Sequence, residues 1–65
     1  MMNYEIGFDC GMFYSVNMFN GTECKAKEVA EAHARRHGYT VEYIRPISAL
    51  QAESNKAKGM PFLNA

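Results

Sequence analysis

Between Asn3 and Phe8 apolar and polar residues alternate, with Tyr4, Ile6 and Phe8 on one side and Asn3, Glu5 and Gly7 on the other. A period of two is that of a half-buried strand. Asp9, Cys10 and Gly11 follow as a tight turn, with Gly11 able to supply positive φ. Alternation resumes from Met12 to Phe19. Met12, Tyr14, Val16 and Met18 share one face; Phe13, Ser15, Asn17 and Phe19 share the other. The first set is uniformly apolar, which assigns it to the face beneath a helix and leaves the second set outside. The two strands then form an antiparallel hairpin.

The period changes at Thr22. Through His37 the apolar positions Ala26, Val29, Ala30 and His33, with Ala34 at the margin, fall on one side of a helix. Lys27, Glu31 and Arg35 form a charged ladder on the opposite side, with Cys24 and Glu28 beside it. Such ladders add only about 0.2–0.5 kcal/mol per pair, so this face is solvated rather than binding. Asn20 and Thr22 are both candidate N-caps, and Glu23 complements the positive helix end. Arg35, Arg36 and His37 suit the negative end, and Gly38 closes the helix. The helix face is made of small side chains. The bulk of the core must therefore come from the Tyr and Phe residues of the strands.

Tyr39 to Arg45 returns to period two, with Tyr39, Val41 and Tyr43 on one side and Thr40, Glu42 and Ile44 on the other. A strand–helix–strand return with a right-handed crossover favours sheet order 2-1-3, with every neighbouring pair antiparallel. The expected fold class is α+β: one β-β-α-β unit whose ordered core spans about 3–46. Past Pro46, Ser48 and Gln51 have N-cap spacing, and helix-favouring residues run to Lys58 before Gly59 and Pro61. This predicts a short helix over 49–58 with a thin apolar face, essentially Leu50 and Ala57, and a flexible tail over 59–65.

Composition narrows the function classes. Sixty-five residues make one small domain, and 48% hydrophobic with 22% charged residues fits a folded chain. Seven basic residues balance seven acidic ones. That lacks the basic excess of an electrostatic nucleic-acid binder and gives no attraction to acidic membranes. No apolar run approaches the ~20 residues of a membrane span. The N-terminal MMNYEIGF lacks the pattern of a secretory signal, and two cysteines are too few for a disulfide scaffold. A cytoplasmic protein with reduced thiols is expected.

Candidate chemistry is sparse. His33 and His37 are four residues apart on one helix face, a spacing that presents two imidazoles to one metal. No third and fourth ligand follows, since Cys24 lies about 180° round the helix from His33. The plainer reading is a half-buried His33 hydrogen-bonded to a tyrosine, with His37 as a C-terminal cation. Cys24 near the helix start would favour thiolate, yet its charged neighbours are Glu23, Lys25 and Lys27 and no histidine lies on that face. There is no Gly-rich phosphate loop and no carboxylate pair at catalytic spacing. No catalytic residue, cofactor or metal site is therefore assigned.

The functional expectation is a non-enzymatic protein-interaction domain, acting on a partner protein or as a homodimer. Its surface would be a sheet edge or the outer sheet face, where Phe13, Phe19 and Ile44 need cover. The second reading is single-stranded nucleic acid held on that aromatic face, with Arg35, Arg36 and Arg45 as a basic edge.

Overall fold

A computed structural model describes residues 1–63. The elements are β1 (Met2–Asp9), β2 (Tyr14–Gly21), α1 (Glu23–His37), β3 (Thr40–Ile47) and α2 (Ala49–Ala57). The sheet has order β2-β1-β3 and both pairs are antiparallel, as the hydrophobic pattern predicts. The fold is α+β with a β-β-α-β-α arrangement.

Helix α1 begins at Thr22, whose hydroxyl accepts the Lys25 N–H at 3.2 Å. It ends at Gly38, with φ of 73°, and the Gly38 N–H donates to the Ala34 carbonyl. Its buried residues are Ala26, Val29, Ala30 and Ala34. These small side chains let the helix settle onto the large ones of the sheet: Tyr4, Ile6, Phe8 and Phe19 complete the same core.

The face assignment of β2 is the reverse of the expectation. Phe19 stands opposite Tyr4, Asn17 opposite Ile6 and Ser15 opposite Phe8. The mixed set therefore faces α1, and the uniformly apolar Val16 and Met18 face away. The reason lies in the connection. β1 and β2 pair out to Asp9 and Tyr14, so the loop runs from Cys10 to Phe13, a residue longer than the expected turn. Loop length fixes register, and register fixes which face each residue takes. Met12 and Phe13 lie in that loop and not in the strand.

β3 departs from strict alternation. Tyr43 pairs with Gly7 and Val41 with Phe8, so Glu42 is an extra residue in a bulge. A bulge resets which side successive residues face. Val41 and Ile44, expected on opposite sides, both pack against the α1 core. Tyr43 and Arg45 face the other way.

That second sheet face is also covered. α2 starts at Ser48, whose hydroxyl accepts the Gln51 N–H at 3.0 Å. Its buried residues are Ala52 and Asn55, not the expected Leu50 and Ala57; Leu50 is 82% exposed. Gly59, at φ of 88°, turns the chain, and the Met60 N–H donates back to the Asn55 carbonyl at 3.1 Å. The chain thus leaves the β3 side at Ile47 and reaches the β2 edge by Pro61. There the Met18 N–H donates to the Pro61 carbonyl at 2.8 Å, and the Leu63 N–H to the Met18 carbonyl at 2.7 Å. Of the tail at 59–65, residues 59–63 are described; 64 and 65 lie outside the described residues.

Candidate functional site

The residues expected to form one outer surface do not meet. Phe19 is 4% exposed in the core, Ile44 packs on the same side of the sheet, and Phe13 stands alone in the hairpin loop. The basic edge is likewise divided. Arg35 and Arg36 are exposed in the last turn of α1. Arg45 lies on the opposite face of the sheet, ion-paired with Glu5.

That pairing is part of a polar cluster beneath α2. Glu5 is buried, and its carboxylate accepts from Tyr43 Oη at 3.0 Å, from Arg45 Nη2 and from Asn55 Nδ2 at 3.0 Å. Gln51 Nε2 in turn donates to Asn55 Oδ1 at 2.9 Å. Burial acts to raise the Glu5 carboxyl. The three hydrogen bonds and the Arg45 charge outweigh it and hold the group below the usual carboxylate value. Burial, with the bond to Glu5, raises the Tyr43 phenol in turn. The Arg45 guanidinium lies 5.2 Å from the Tyr43 ring centre. Every oxygen of this carboxylate is engaged within the fold, so the cluster reads as a clasp for α2 rather than as a reactive site.

The sheet edges are guarded. Both main-chain groups of Met18 point away from β1, toward the tail. By alternation, Tyr4, Ile6 and Phe8 turn their main chain toward β2, while Asn3, Glu5 and Gly7 turn theirs toward Ile47, Arg45 and Tyr43 of β3. Ile44 and Pro46 are left facing the open β3 edge. Pro46 has no N–H, and the Glu42 bulge interrupts the row above it. Bulges and prolines are devices that discourage pairing at an edge. The expected edge docking thus has little free ladder to use on β3, and part of the β2 edge is occupied by residues 61–63.

What remains open is one end of the molecule. The Cys10 N–H donates to the Phe13 carbonyl at 3.0 Å, and the Gly11 N–H to Asp9 Oδ1 at 2.9 Å, so the loop is held in shape. From it project Met12, 98% exposed, Phe13, 59%, and Tyr14, 70%. β3 begins opposite Asp9, so the end of α1 that feeds it lies at this same pole. Arg35 and Arg36 therefore share the pole with the apolar loop.

The histidines lie on the flank of α1. His33 is half-buried against Phe8, with ring centres 4.9 Å apart, and His37 is 4.4 Å from His33. His33 meets Tyr39 ring to ring, at 6.0 Å, and not through the expected hydrogen bond. His37 stacks on Tyr39 at 5.3 Å. Among the described residues no three His, Cys, Asp or Glu side chains group as metal ligands. Cys24 is exposed and Cys10 half-buried, and neither is in a disulfide. No helix of the described residues is long and apolar enough to cross a membrane.

Sequence reasoning missed both the hairpin tip as a unit and the clasp at Glu5. The tip had a signal, three consecutive large apolar residues after a Gly. The clasp had none, because Glu5 and Asn55 are fifty positions apart. Comparison with protein-family models, curated proteins and solved structures found no match to this chain.

Proposed function

We propose that this chain is a small non-enzymatic protein-interaction domain whose contact surface centres on the hairpin tip. The observation that carries the reading is the run Met12-Phe13-Tyr14, three consecutive large apolar residues that are each exposed to solvent. Large apolar side chains left in solvent within one loop mark candidate contact sites, and Met, Phe and Tyr are the residue types enriched there. The loop's internal hydrogen bonds reduce the ordering cost of binding. With Arg35 and Arg36 at the same pole, the matching partner surface is an apolar hollow rimmed by carboxylates. The absence of a nucleophile–base pair or phosphate loop in the sequence supports the non-enzymatic part.

The test is the solution mass by light scattering over a range of concentrations in reductant, for the wild type and Phe13→Glu. A dimer that dissociates in the variant makes a second copy the partner. If both are monomeric, a photo-crosslinker at Tyr14 tests a foreign partner, with Phe13→Glu abolishing the adduct. Association or adducts indifferent to Phe13 would overturn the assignment.

A second reading has one observation in its favour: Phe13 and Tyr14 share their pole with Arg35 and Arg36. Exposed aromatics beside cations suit single-stranded nucleic acid. That reading requires binding of an oligonucleotide that weakens as salt rises and whose salt slope falls in an Arg35→Gln, Arg36→Gln double variant.

A further inference from the structure

On the flank of α1, reaching its C-terminal end, a groove of about 470 Å³ runs between the helix and the tail segment at Phe62 and Leu63. The helix lines it with residues three and four apart, from Lys25 through Val29 and His33 to Arg36 and His37. Its sheet side is Asn17. Four of these groups are cations or become cations on protonation. Glu28 is the sole acid lining the groove among the described residues, and it pairs with Lys25 at 3.3 Å at the far end.

Asn17 is the informative residue. It is 8% exposed, a polar side chain on the core face of β2. Its Oδ1 accepts from Ser15 Oγ at 3.3 Å, which leaves the amide NH₂ as the donor end. No protein acceptor meets that NH₂ among the described residues, and it has the groove beside it. That NH₂ reaches solvent through the groove, so its N–H groups are free to donate to an acceptor bound there.

His33 sits between Asn17 and the helix end and is sensitive to the same field. Burial lowers its basicity first, and the charges of His37 and Arg36 lower it further. An anion in the groove would reverse that sign. The C-terminal end of α1 is the negative end of its dipole and opposes an anion; the Ala34 carbonyl there is taken by the N–H groups of Gly38 and Tyr39, and the cations of the groove have to outweigh the rest.

We propose that this groove is a binding site for a phosphate group or a similar oxyanion, held by the Asn17 amide, His33, Arg36 and His37. Arg36 and the imidazolium forms of the histidines supply charge-assisted hydrogen bonds, and Asn17 supplies a neutral donor from below. The groove is larger than the anion alone. An organic remainder would lie along Val29 and Leu63, its apolar lining. The site shares Arg36 with the pole described above but uses none of Met12, Phe13 and Tyr14, so Phe13→Glu leaves it intact and its failure is distinguishable from that of the proposed function.

The experiment is an NMR titration of both histidines, in the full chain, with inorganic phosphate and then phenyl phosphate as probes. The groups facing His33 are Arg36 and His37 of α1, Tyr39 before β3 and Phe8 of β1. Titrations with and without each probe are compared at matched ionic strength, so that a probe-dependent change reports on the bound anion. The expected result is a saturable rise in the His33 pKa, with phenyl phosphate binding more tightly than phosphate. Arg36→Gln should weaken binding about tenfold, the usual scale for losing a charge-assisted bond, and Asn17→Asp at least as much, because it exchanges a neutral donor for a carboxylate that repels the anion. Lys56→Gln, on α2, should leave it unchanged. Arg36 is exposed, so its variant keeps the fold whatever Asn17→Asp does. A His33 titration indifferent to both probes, or binding equally weakened by Lys56→Gln, would overturn the assignment.

Discussion

Asn55 donates its side-chain amide to Glu5 at 3.0 Å, joining the last turn of α2 to the middle of β1. This bond does what the thin apolar face of α2 does not. Ala52 is the only apolar residue the helix buries among the described residues, and an isolated nine-residue helix is unstable in water. The clasp holds α2 against β1 at Glu5, whose strand partner Met18 is fully buried on the same sheet face.

Asn55→Leu should therefore cost about 1–3 kcal/mol, because it leaves one oxygen of a buried carboxylate without a partner. Urea unfolding measures the loss. Hydrogen exchange should show α2 amides losing protection while those of α1 keep theirs, since α2 is held by few contacts of its own.

The pH dependence follows from Glu5. Its folded-state value lies below the ordinary 4.5, so the native carboxyl releases its proton more readily than the unfolded one. The stabilisation is complete above about pH 4.5 and is lost as pH falls through the lower folded value. Chemical denaturation at stepped pH should show this acid loss in the wild type and a flatter profile in Glu5→Gln. At neutral pH that variant should be less stable by about 2 kcal/mol, through mismatched donors at Arg45.

His33 contributes a second slope with its own range. Its folded value lies below 6.5, so protonation favours the unfolded chain, and stability should fall as pH drops below about 6.5. His33→Gln should remove that part of the profile without touching the Glu5 part.

Gly7 is required by Tyr43. A Cβ at Gly7 would fall inside the Tyr43 ring, which lies flat across the strand at that point. Gly7→Ala should destabilise by about 1–3 kcal/mol through forced displacement of the ring and of its bond to Glu5. Combining it with Tyr43→Ala should recover part of that cost, a coupling that a double-mutant cycle measures.

Phe13 and Phe19 share a face by simple alternation yet should respond oppositely. Phe19→Ala removes a core ring and should cost about 3–5 kcal/mol. Phe13→Ser should lie within about 0.5 kcal/mol of the wild type, as an exposed loop position does. Thermal and urea unfolding of the two variants compare them directly.

How much was legible in the chain depends on whether the signal was local. The Ser48 cap, the Gly38 stop, the periods of two and 3.6 and the order 2-1-3 all follow from residues near one another, or from connection rules; for α1 the sequence left Asn20 and Thr22 both open as caps, and the structure selects Thr22. Site reading was weaker for the same reason. The histidine pair was visible at spacing four, but its neighbour Asn17 belongs to another element.

Three features were decided by tertiary structure alone. β2 carries Met18 and Phe19 in succession, and both are buried because α1 covers one face of the sheet and α2 lies against the other. When both faces are covered, apolar alternation no longer says which is which. The Glu42 bulge then slips β3 by one residue, which no periodicity records, because it answers to the pairing with β1. Last, α2 is positioned by one amide meeting one carboxylate. Local sequence by itself determined which elements form and where they stop, since caps and turns act within a few residues. Register, face and the docking of α2 were settled only when distant strands and helices came into contact, because hydrogen bonding and burial across the sheet have no local signature.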